Sequence, residues 1–220
     1  MEQVGRGSKL YLFVYNSLQA FGWSIALFRI LVNFLSTKSF NGAYASAGEL
    51  ICILQTLAFL EVIHGAIGIV PSGFFSPLFQ WAGRVYFLLA AVRGIDEVQE
   101  LPAVFITFVA WCFAEIIRYM FYALSCVGNC PYFLIHLRYT AFIMILPIGA
   151  VVEMWTMYQT LQVILKKKLY ADHFDSIPFS YYTFVKAGVI CHPFLCLLQY
   201  LHLFKQRHSK LSLRSEKKIK

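Results

Sequence analysis

The stretch that decides the fold is AFIMILPIGAVVEMW, residues 141–155. It carries one charged side chain, Glu153, and Pro147 and Gly149 precede that residue within the same apolar run. The run extends from about Tyr132 to Leu165 and is long enough to cross the ~30 Å hydrocarbon core of a bilayer as a helix. A carboxylate is costly in such a segment, so Glu153 is predicted to face the interior of a helix bundle and to have a function.

The composition of the whole chain indicates the same class of protein. Its 220 residues are 59% hydrophobic and only 14% charged, whereas a soluble domain has about 25% charged residues. Such a chain cannot cover its own surface with polar groups, so we predict an integral membrane protein. The formal net charge is +8, but so apolar a chain offers no basic groove, and no nucleic-acid partner is expected.

Six segments are candidates for transmembrane helices, because each approaches the length of about 20 mostly apolar residues that a bilayer requires. They are Tyr11 to about Leu35, about Glu49 to Val70, Phe74 to Val92, Leu101 to Leu124, Tyr132 to Leu165, and Phe179 to Phe204. We therefore predict an all-α bundle of six transmembrane helices over residues 11–204, between an N-terminus at 1–10 and a basic tail at 205–220. A five-span bundle with one re-entrant segment is the alternative.

Basic residues favour a cytosolic position for both termini. Arg6 and Lys9 precede the first span and a basic tail follows the sixth, whereas Lys166–Lys168 oppose this orientation because an even topology places them on the far side. Lys217 and Lys218 have the spacing of the dilysine signal that returns membrane proteins to the endoplasmic reticulum, an address that a receptor recognises. We expect a multi-pass protein of that membrane; a basic tail that ends this way by chance is the alternative.

Further polar groups interrupt the predicted spans, where ionisable side chains usually face the bundle interior. They are Arg29, Glu61, His64, Gln80, Arg84, Glu115, Arg118 and Arg138. Glu61 and His64 are three residues apart, as are Glu115 and Arg118, so each pair shares a helix face. Mutual neutralisation is one interpretation. A functional site is the other, and the number of such groups in a small bundle supports it.

Cys112 and Arg118 have the Cys-x5-Arg spacing of tyrosine phosphatase active sites. That chemistry needs backbone N–H groups that wrap a phosphate at a helix N-terminus. The residues between Cys112 and Arg118 are apolar and lie in the middle of a predicted helix, so we interpret the spacing as a chance match.

Five segments together resemble one known family. They are YLFVYN (11–16), QTLAFLEVIHGAIGIVPS (55–72), WAGRVYFLLA (81–90), AEIIRYMFYAL (114–124) and LRYTAFIMILPIGAVVE (137–153). In this order they resemble the very-long-chain (3R)-3-hydroxyacyl-CoA dehydratases, a family that includes the plant PASTICCINO type and was once labelled tyrosine-phosphatase-like. The resemblance extends from about Tyr11 to Phe204.

The resemblance implies a six-helix bundle in the endoplasmic reticulum membrane with both termini cytosolic. It implies that 3-hydroxyacyl-CoA loses water to give trans-2-enoyl-CoA, the third step of very-long-chain fatty acid elongation. The implied partners are a long-chain acyl-CoA substrate, other elongase subunits and membrane lipid, and no metal or organic cofactor is implied. Candidate substrate-binding or supporting residues are Glu61, Gln80, Arg84, Arg118, Tyr119, Arg138 and Gly149.

The family pairs a catalytic Tyr with a catalytic Glu in the pattern Tyr-Pro-x-Gly-x-x-x-Glu. Seven residues are nearly two helical turns, so the two side chains share a face about 10 Å apart along the axis, and the Pro and Gly are expected to kink the helix. Here Glu153, Pro147 and Gly149 match the pattern, but Leu146 occupies the Tyr position.

Because Leu146 occupies the position of the catalytic Tyr, the sequence does not decide between an active and an inactive enzyme. Tyr139 is too far along the helix and Tyr158 points to a different face, whereas Tyr119 or an ordered water beside Glu153 could supply a second proton carrier. A catalytically weak or silent family member that binds elongase subunits is the alternative function. Arg118 is expected, together with Arg138, at the cytosolic mouth, where either CoA phosphates or the membrane interface would be their partners.

Overall fold

The structure is a computed structural model that describes residues 5–70, 73–167 and 180–219. Within these residues the chain forms helices and no strand, which confirms the predicted all-α class. In chain order the helices are α1 (Arg6–Thr37), α2 (Ala43–Ala66), α3 (Phe75–Tyr86), α4 (Asp96–Gln99), α5 (Pro102–Val127), α6 (Tyr132–Thr140), α7 (Phe142–Lys167) and α8 (Tyr181–Ile219). A π-helical segment, Phe87–Val92, continues α3.

Among the described residues, five stretches are helical, long and apolar enough to cross a bilayer. They are Arg6–Thr37, Ala43–Ala66, Pro102–Val127, Tyr132–Lys167 and Tyr181–His208. Their outer faces carry large exposed apolar side chains such as Phe21, Phe28 and Leu198, which suits contact with lipid and is a liability in water. The chain is therefore a multi-pass membrane protein, as predicted.

The predicted third span corresponds to Phe75–Val92 and is shorter than the five stretches above. Contacts at its two ends show that it runs the length of α2. At one end, Gly65 lies against the backbone of Gly73, so closely that a Cβ atom on Gly65 would clash with the Gly73 carbonyl. At the other end, Arg93 donates a hydrogen bond of 2.8 Å to Glu49 near the start of α2. Within the part of the chain that the structure describes, six helical segments therefore run between the two ends of the bundle.

The predicted fifth span is interrupted rather than continuous. The interruption lies at Ala141, between α6 and α7, and Pro147 lies inside α7. A proline ring displaces the carbonyl group four residues before it, so it distorts the turn on its N-terminal side. The structure therefore interrupts the span six residues before Pro147, and Pro147 and Gly149 themselves lie within α7.

The interior of the bundle is filled by large side chains from several helices. Trp23 and Ile30 of α1 meet Phe87 of the π-helical segment, Phe108 of α5 and Met157 of α7, all of them less than 2% exposed. Because lipid is as apolar as these side chains, close packing rather than escape from water stabilises their contact. This packing holds α5 and α7 at a fixed spacing.

One end of the bundle is closed by polar contacts between loops. The N–H group of Gly42, after α1, donates to Glu100 at 2.9 Å, and Lys167 at the end of α7 contacts Glu97 of α4. These contacts place the end of α7 beside the loop that precedes α5, as an even topology requires. Lys168 and the side chains of Lys217 and Lys218 lie outside the described residues, and the predicted sidedness of the basic segments stays a prediction.

The six-segment arrangement makes a prediction that a five-span arrangement reverses. In a variant without native cysteines, Asn41→Cys in the α1–α2 loop and Asn129→Cys after α5 should be labelled by an impermeant thiol reagent from opposite faces of the membrane. If Phe75–Val92 did not cross, α5 would run the other way and both positions would be labelled from one face. Sealed vesicles with and without permeabilisation distinguish the two results.

Candidate active site

A cavity of about 160 Å³ lies inside the bundle between α3, α5, α6, α7 and α8. We name it the Glu153 cavity, because this carboxylate contributes to its wall. Six of the eight predicted site residues line it, and these are Gln80, Arg84, Arg118, Arg138, Gly149 and Glu153. Leu146 lines it as well, whereas Glu61 and Tyr119 do not. Residues that are far apart in sequence therefore converge on one site.

The Glu153 carboxylate is held by groups from two other helices. The indole N–H group of Trp111, on α5, donates to Oε1 of Glu153 at 2.7 Å. On the other carboxylate oxygen, Nε2 of His192 in α8 lies 3.3 Å from Oε2. The side chains of Glu153 and His192 are only 14% and 13% exposed. Glu153 is thus a positioned carboxylate with a neutral donor on one oxygen and an imidazole on the other.

The face of α7 that forms the cavity wall is built by helical spacing. Leu146, Gly149 and Glu153 recur at intervals of three and four residues and so share one face. A Cβ atom added to Gly149 would meet only Oε1 of Glu153, at 3.8 Å. Gly149 therefore leaves space directly beside the carboxylate, where a larger side chain would fill the cavity.

A network of four charged side chains joins α2, α3 and α5 beside the cavity. Glu115 is 1% exposed and accepts from Arg84 of α3 and from Nε of Arg118, the latter at 2.7 Å. Arg118 reaches on to Glu61 of α2 with two N–H groups, one of them at 3.0 Å from Oε1. Two carboxylates and two guanidinium groups make the cluster neutral, which lowers the cost of charges inside a membrane.

Pairing within a helix describes this network only in part. Glu115 and Arg118 do contact each other, as their spacing predicts. His64, however, bonds to Tyr11 of α1 at 2.9 Å, and its neighbour Glu61 turns to α5. Mutual neutralisation therefore accounts for Glu61, Glu115 and Arg118, whereas His64 bonds to a tyrosine.

The tyrosines considered as substitutes for the missing family Tyr lie away from the cavity. Tyr119 is fully buried, donates its hydroxyl to Glu61 and packs its ring under Arg118, 4.2 Å from the guanidinium carbon to the ring centroid. Tyr139 packs on Phe121, and Tyr158 is 49% exposed on the outer face of α7. None of the three is among the residues that line the cavity.

Arg138 differs from the other arginines of the cavity. Its guanidinium lies 5.9 Å from the ring centroids of Tyr122 and Tyr139. Its Nε atom is buried and has no hydrogen-bond partner among the described residues. A buried guanidinium N–H group without a partner is costly, so this donor is suited to an anionic or carbonyl group that enters the cavity.

Trp111 and His192, which contact Glu153, are not among the candidates predicted from the sequence. His192 lies inside the sixth predicted span, and an ionisable side chain there is by default a candidate for function, so this signal was present. Trp111 carries no comparable signal, because an indole in an apolar helix is ordinarily a packing residue. Only the tertiary structure brings its donor to Glu153.

The charge network predicts a large stability difference between two carboxylates. Replacement of Glu115 by Gln leaves two buried guanidinium groups without their shared partner, which is expected to cost about 3–5 kcal/mol. Replacement of Glu49 by Gln breaks the exposed pair with Arg93, which is expected to contribute little to stability, and the Gln side chain can still accept from the Tyr44 hydroxyl. Thermal unfolding of the purified variants in detergent should show a much lower midpoint for Glu115→Gln. Equal midpoints would mean that the network does not hold the bundle together.

Comparison with known proteins identifies the family of the chain. The family model described as protein tyrosine phosphatase-like protein, PTPLA, matches residues 55–213. A human protein named very-long-chain (3R)-3-hydroxyacyl-CoA dehydratase 2 is 33% identical, over 94% of this chain and 83% of its own length. The dog protein named very-long-chain (3R)-3-hydroxyacyl-CoA dehydratase 1 is 28% identical, over 95% of this chain and 85% of its own length. No solved structure gives a significant match. The chain therefore belongs to the protein tyrosine phosphatase-like (PTPLA) family, that of the very-long-chain (3R)-3-hydroxyacyl-CoA dehydratases.

Proposed function

We propose that this chain removes water from 3-hydroxyacyl-CoA to give trans-2-enoyl-CoA. The observation that carries the proposal is a positioned carboxylate, Glu153, in a largely apolar cavity of a membrane bundle. The names of the similar proteins support the same reaction. By that likeness the reaction is the third step of very-long-chain fatty acid elongation.

The reaction needs two proton transfers on neighbouring carbon atoms. A base removes the proton from C2, next to the thioester, and an acid protonates the hydroxyl that leaves C3. Of the two carboxylates that line the cavity, Glu153 forms no ion pair with an arginine, whereas Glu115 contacts two. Trp111 fixes Oε1 of Glu153, so the carboxylate keeps one orientation while substrate binds, and fixed orientation is a major part of catalysis.

The size of the cavity indicates which part of the substrate it holds. Pockets for drug-sized ligands measure roughly 300–1,000 Å³, and the Glu153 cavity measures only about 160 Å³. It therefore accommodates the reacting carbons and the thioester, while the rest of the acyl chain continues between the helices towards lipid. Apolar side chains such as Phe79, Ile145 and Leu195 line the cavity, and Phe79 and Leu195 are also exposed at the outer surface, which supports this course for the chain.

The arginines of the cavity have separate tasks in this proposal. Arg84 and Arg118 are engaged by Glu115 and Glu61 and support the site. Arg138 has a buried Nε without a hydrogen-bond partner among the described residues. We assign Arg138 to the thioester or phosphate oxygens of the CoA part, since a guanidinium offers several donors to such groups.

The setting of the reaction belongs to the same proposal. Elongation proceeds by consecutive reactions on one acyl-CoA, so contacts with other elongase subunits would pass the substrate on. The dilysine spacing at Lys217 and Lys218 and the basic ends of the chain favour the endoplasmic reticulum membrane with both termini cytosolic. Membrane lipid surrounds the apolar outer face.

The first prediction of this proposal concerns Glu153. The purified chain should convert 3-hydroxyacyl-CoA to enoyl-CoA, and Glu153→Gln should lower kcat by roughly 100-fold or more, because the amide cannot transfer a proton. Glu97→Gln, on the exposed pair with Lys167, is the matched control and should keep full activity. Enoyl-CoA is followed by its absorbance and by mass spectrometry. A wild-type chain that binds substrate without turnover would favour the silent-subunit alternative.

The second prediction concerns Arg138. Arg138→Gln should raise KM for the acyl-CoA by about 10-fold with a smaller change in kcat, the size expected for the loss of one charge-assisted hydrogen bond. Arg29→Gln, an exposed arginine of α1, serves as the control for a general loss of positive charge. An unchanged KM in Arg138→Gln would remove Arg138 from substrate binding.

A further inference from the structure

The Glu153 cavity contains a second proton carrier that the family motif does not include. His192 lies on α8, and its Nε2 atom is 3.3 Å from Oε2 of Glu153. Cys196, one turn further on the same helix, has its sulfur 3.4 Å from the same nitrogen. Both lie in the wall of the cavity. A mainly buried imidazole therefore faces the catalytic carboxylate at the site where substrate is proposed to bind.

Leu146, at the position of the family Tyr, faces this same cavity but has no group that can transfer a proton. Leu146 lines the cavity with an apolar side chain, so the hydroxyl group of the motif is missing at the place where it would act. Tyr119, Tyr139 and Tyr158 do not line the cavity. A dehydration at this site needs a second acid or base from another element.

Elimination among the lining residues leaves His192. The titratable or charged lining residues besides Glu153 are Arg84, Glu115, Arg118, Arg138, His192 and Cys196. Arginine stays protonated in proteins, and Glu115 is bound by two arginines. A thiol is a weak acid and a weak hydrogen-bond donor. Imidazole is the group that most often transfers protons in enzymes.

We propose that His192 replaces the missing tyrosine as the proton partner of Glu153, an inference that rests on the proposed dehydration. The pair begins as imidazolium and carboxylate. The carboxylate takes the proton from C2, and the electrons of that C–H bond form the C2=C3 double bond. The C3–O bond breaks with its electron pair on oxygen, which takes the proton from Nε2 of His192 and leaves as water.

The same contact returns the pair to its starting state. After the reaction Glu153 carries a proton and His192 is neutral, and the proton moves from Oε2 to Nε2 across the 3.3 Å contact. C2 and the C3 hydroxyl are only two bonds apart in the substrate. A base and an acid held side by side can therefore serve both positions from one face of the substrate.

The test compares two histidines of α8 in the full-length purified protein. His192→Gln keeps a hydrogen-bonding side chain but cannot transfer a proton, so kcat should fall by about 100-fold or more with KM little changed. His202→Gln is the matched control, because His202 is exposed and bonds to Gln206, one turn away. Thermal midpoints equal to that of the wild type show that each variant is folded; His192→Asn takes the place of His192→Gln if the latter does not fold.

Restoring the tyrosine of the family motif distinguishes a loss of proton transfer from a loss of packing in His192→Gln. Leu146→Tyr placed in the His192→Gln background should recover at least 10-fold of the lost kcat, because it returns a proton carrier to the cavity. If His192→Gln kept the wild-type kcat, the role of His192 would be overturned and the proposed dehydration would stand. The same conclusion would follow if His192→Gln lost activity and Leu146→Tyr did not restore it. If the wild-type chain had no turnover and Leu146→Tyr alone created it, the role of His192 would also be overturned. A chain without turnover in any of these forms would overturn the proposed function itself.

Discussion

The contact of Glu115 with two guanidinium groups is the interaction on which the rest of the site depends. In a membrane interior, isolated charges are too costly to keep, and pairing lowers that cost. Arg84 and Arg118 share Glu115, and Arg118 continues to Glu61. The cluster has no net charge and ties α2, α3 and α5 into one unit. The positions of Trp111 and of the part of the cavity wall that α3 and α5 form follow, because they lie on these helices.

Neutralisation of one set of charges leaves another residue available for chemistry. Glu153 lies in the same bundle but has a neutral indole and an imidazole as its partners instead of an arginine. A carboxylate locked by two guanidinium groups cannot take up a proton readily, whereas one beside an imidazole can exchange it. The structure thus separates carboxylates that hold helices together from the carboxylate suited to proton transfer.

The sequence predicts the class of fold and one wall of the site well. Apolar length alone predicts the spans, and helical spacing places Leu146, Gly149 and Glu153 on one face of α7. It does not predict which helix supplies the partners of Glu153. The contacts of Trp111 and His192 with that carboxylate join three helices, and spacing along one helix holds no information on their packing.

Two further differences separate the structure from the sequence prediction. The fifth span is interrupted at Ala141, six residues before Pro147, and Pro147 lies inside α7. Tyr119 lies near the charged residues in sequence but donates its hydroxyl to Glu61, away from the cavity. Its role as a substitute for the family Tyr depended on which side of α5 faces the cavity, and that is fixed by packing against α1 and α2.

The most direct measurement uses 3-hydroxyacyl-CoA labelled with deuterium at C2 and the purified full-length chain. Single-turnover mass spectrometry should show loss of water together with loss of deuterium from C2, at a rate that the isotope lowers. Substrate recovered intact, with its hydroxyl and its deuterium, would contradict a proton-transfer site at Glu153.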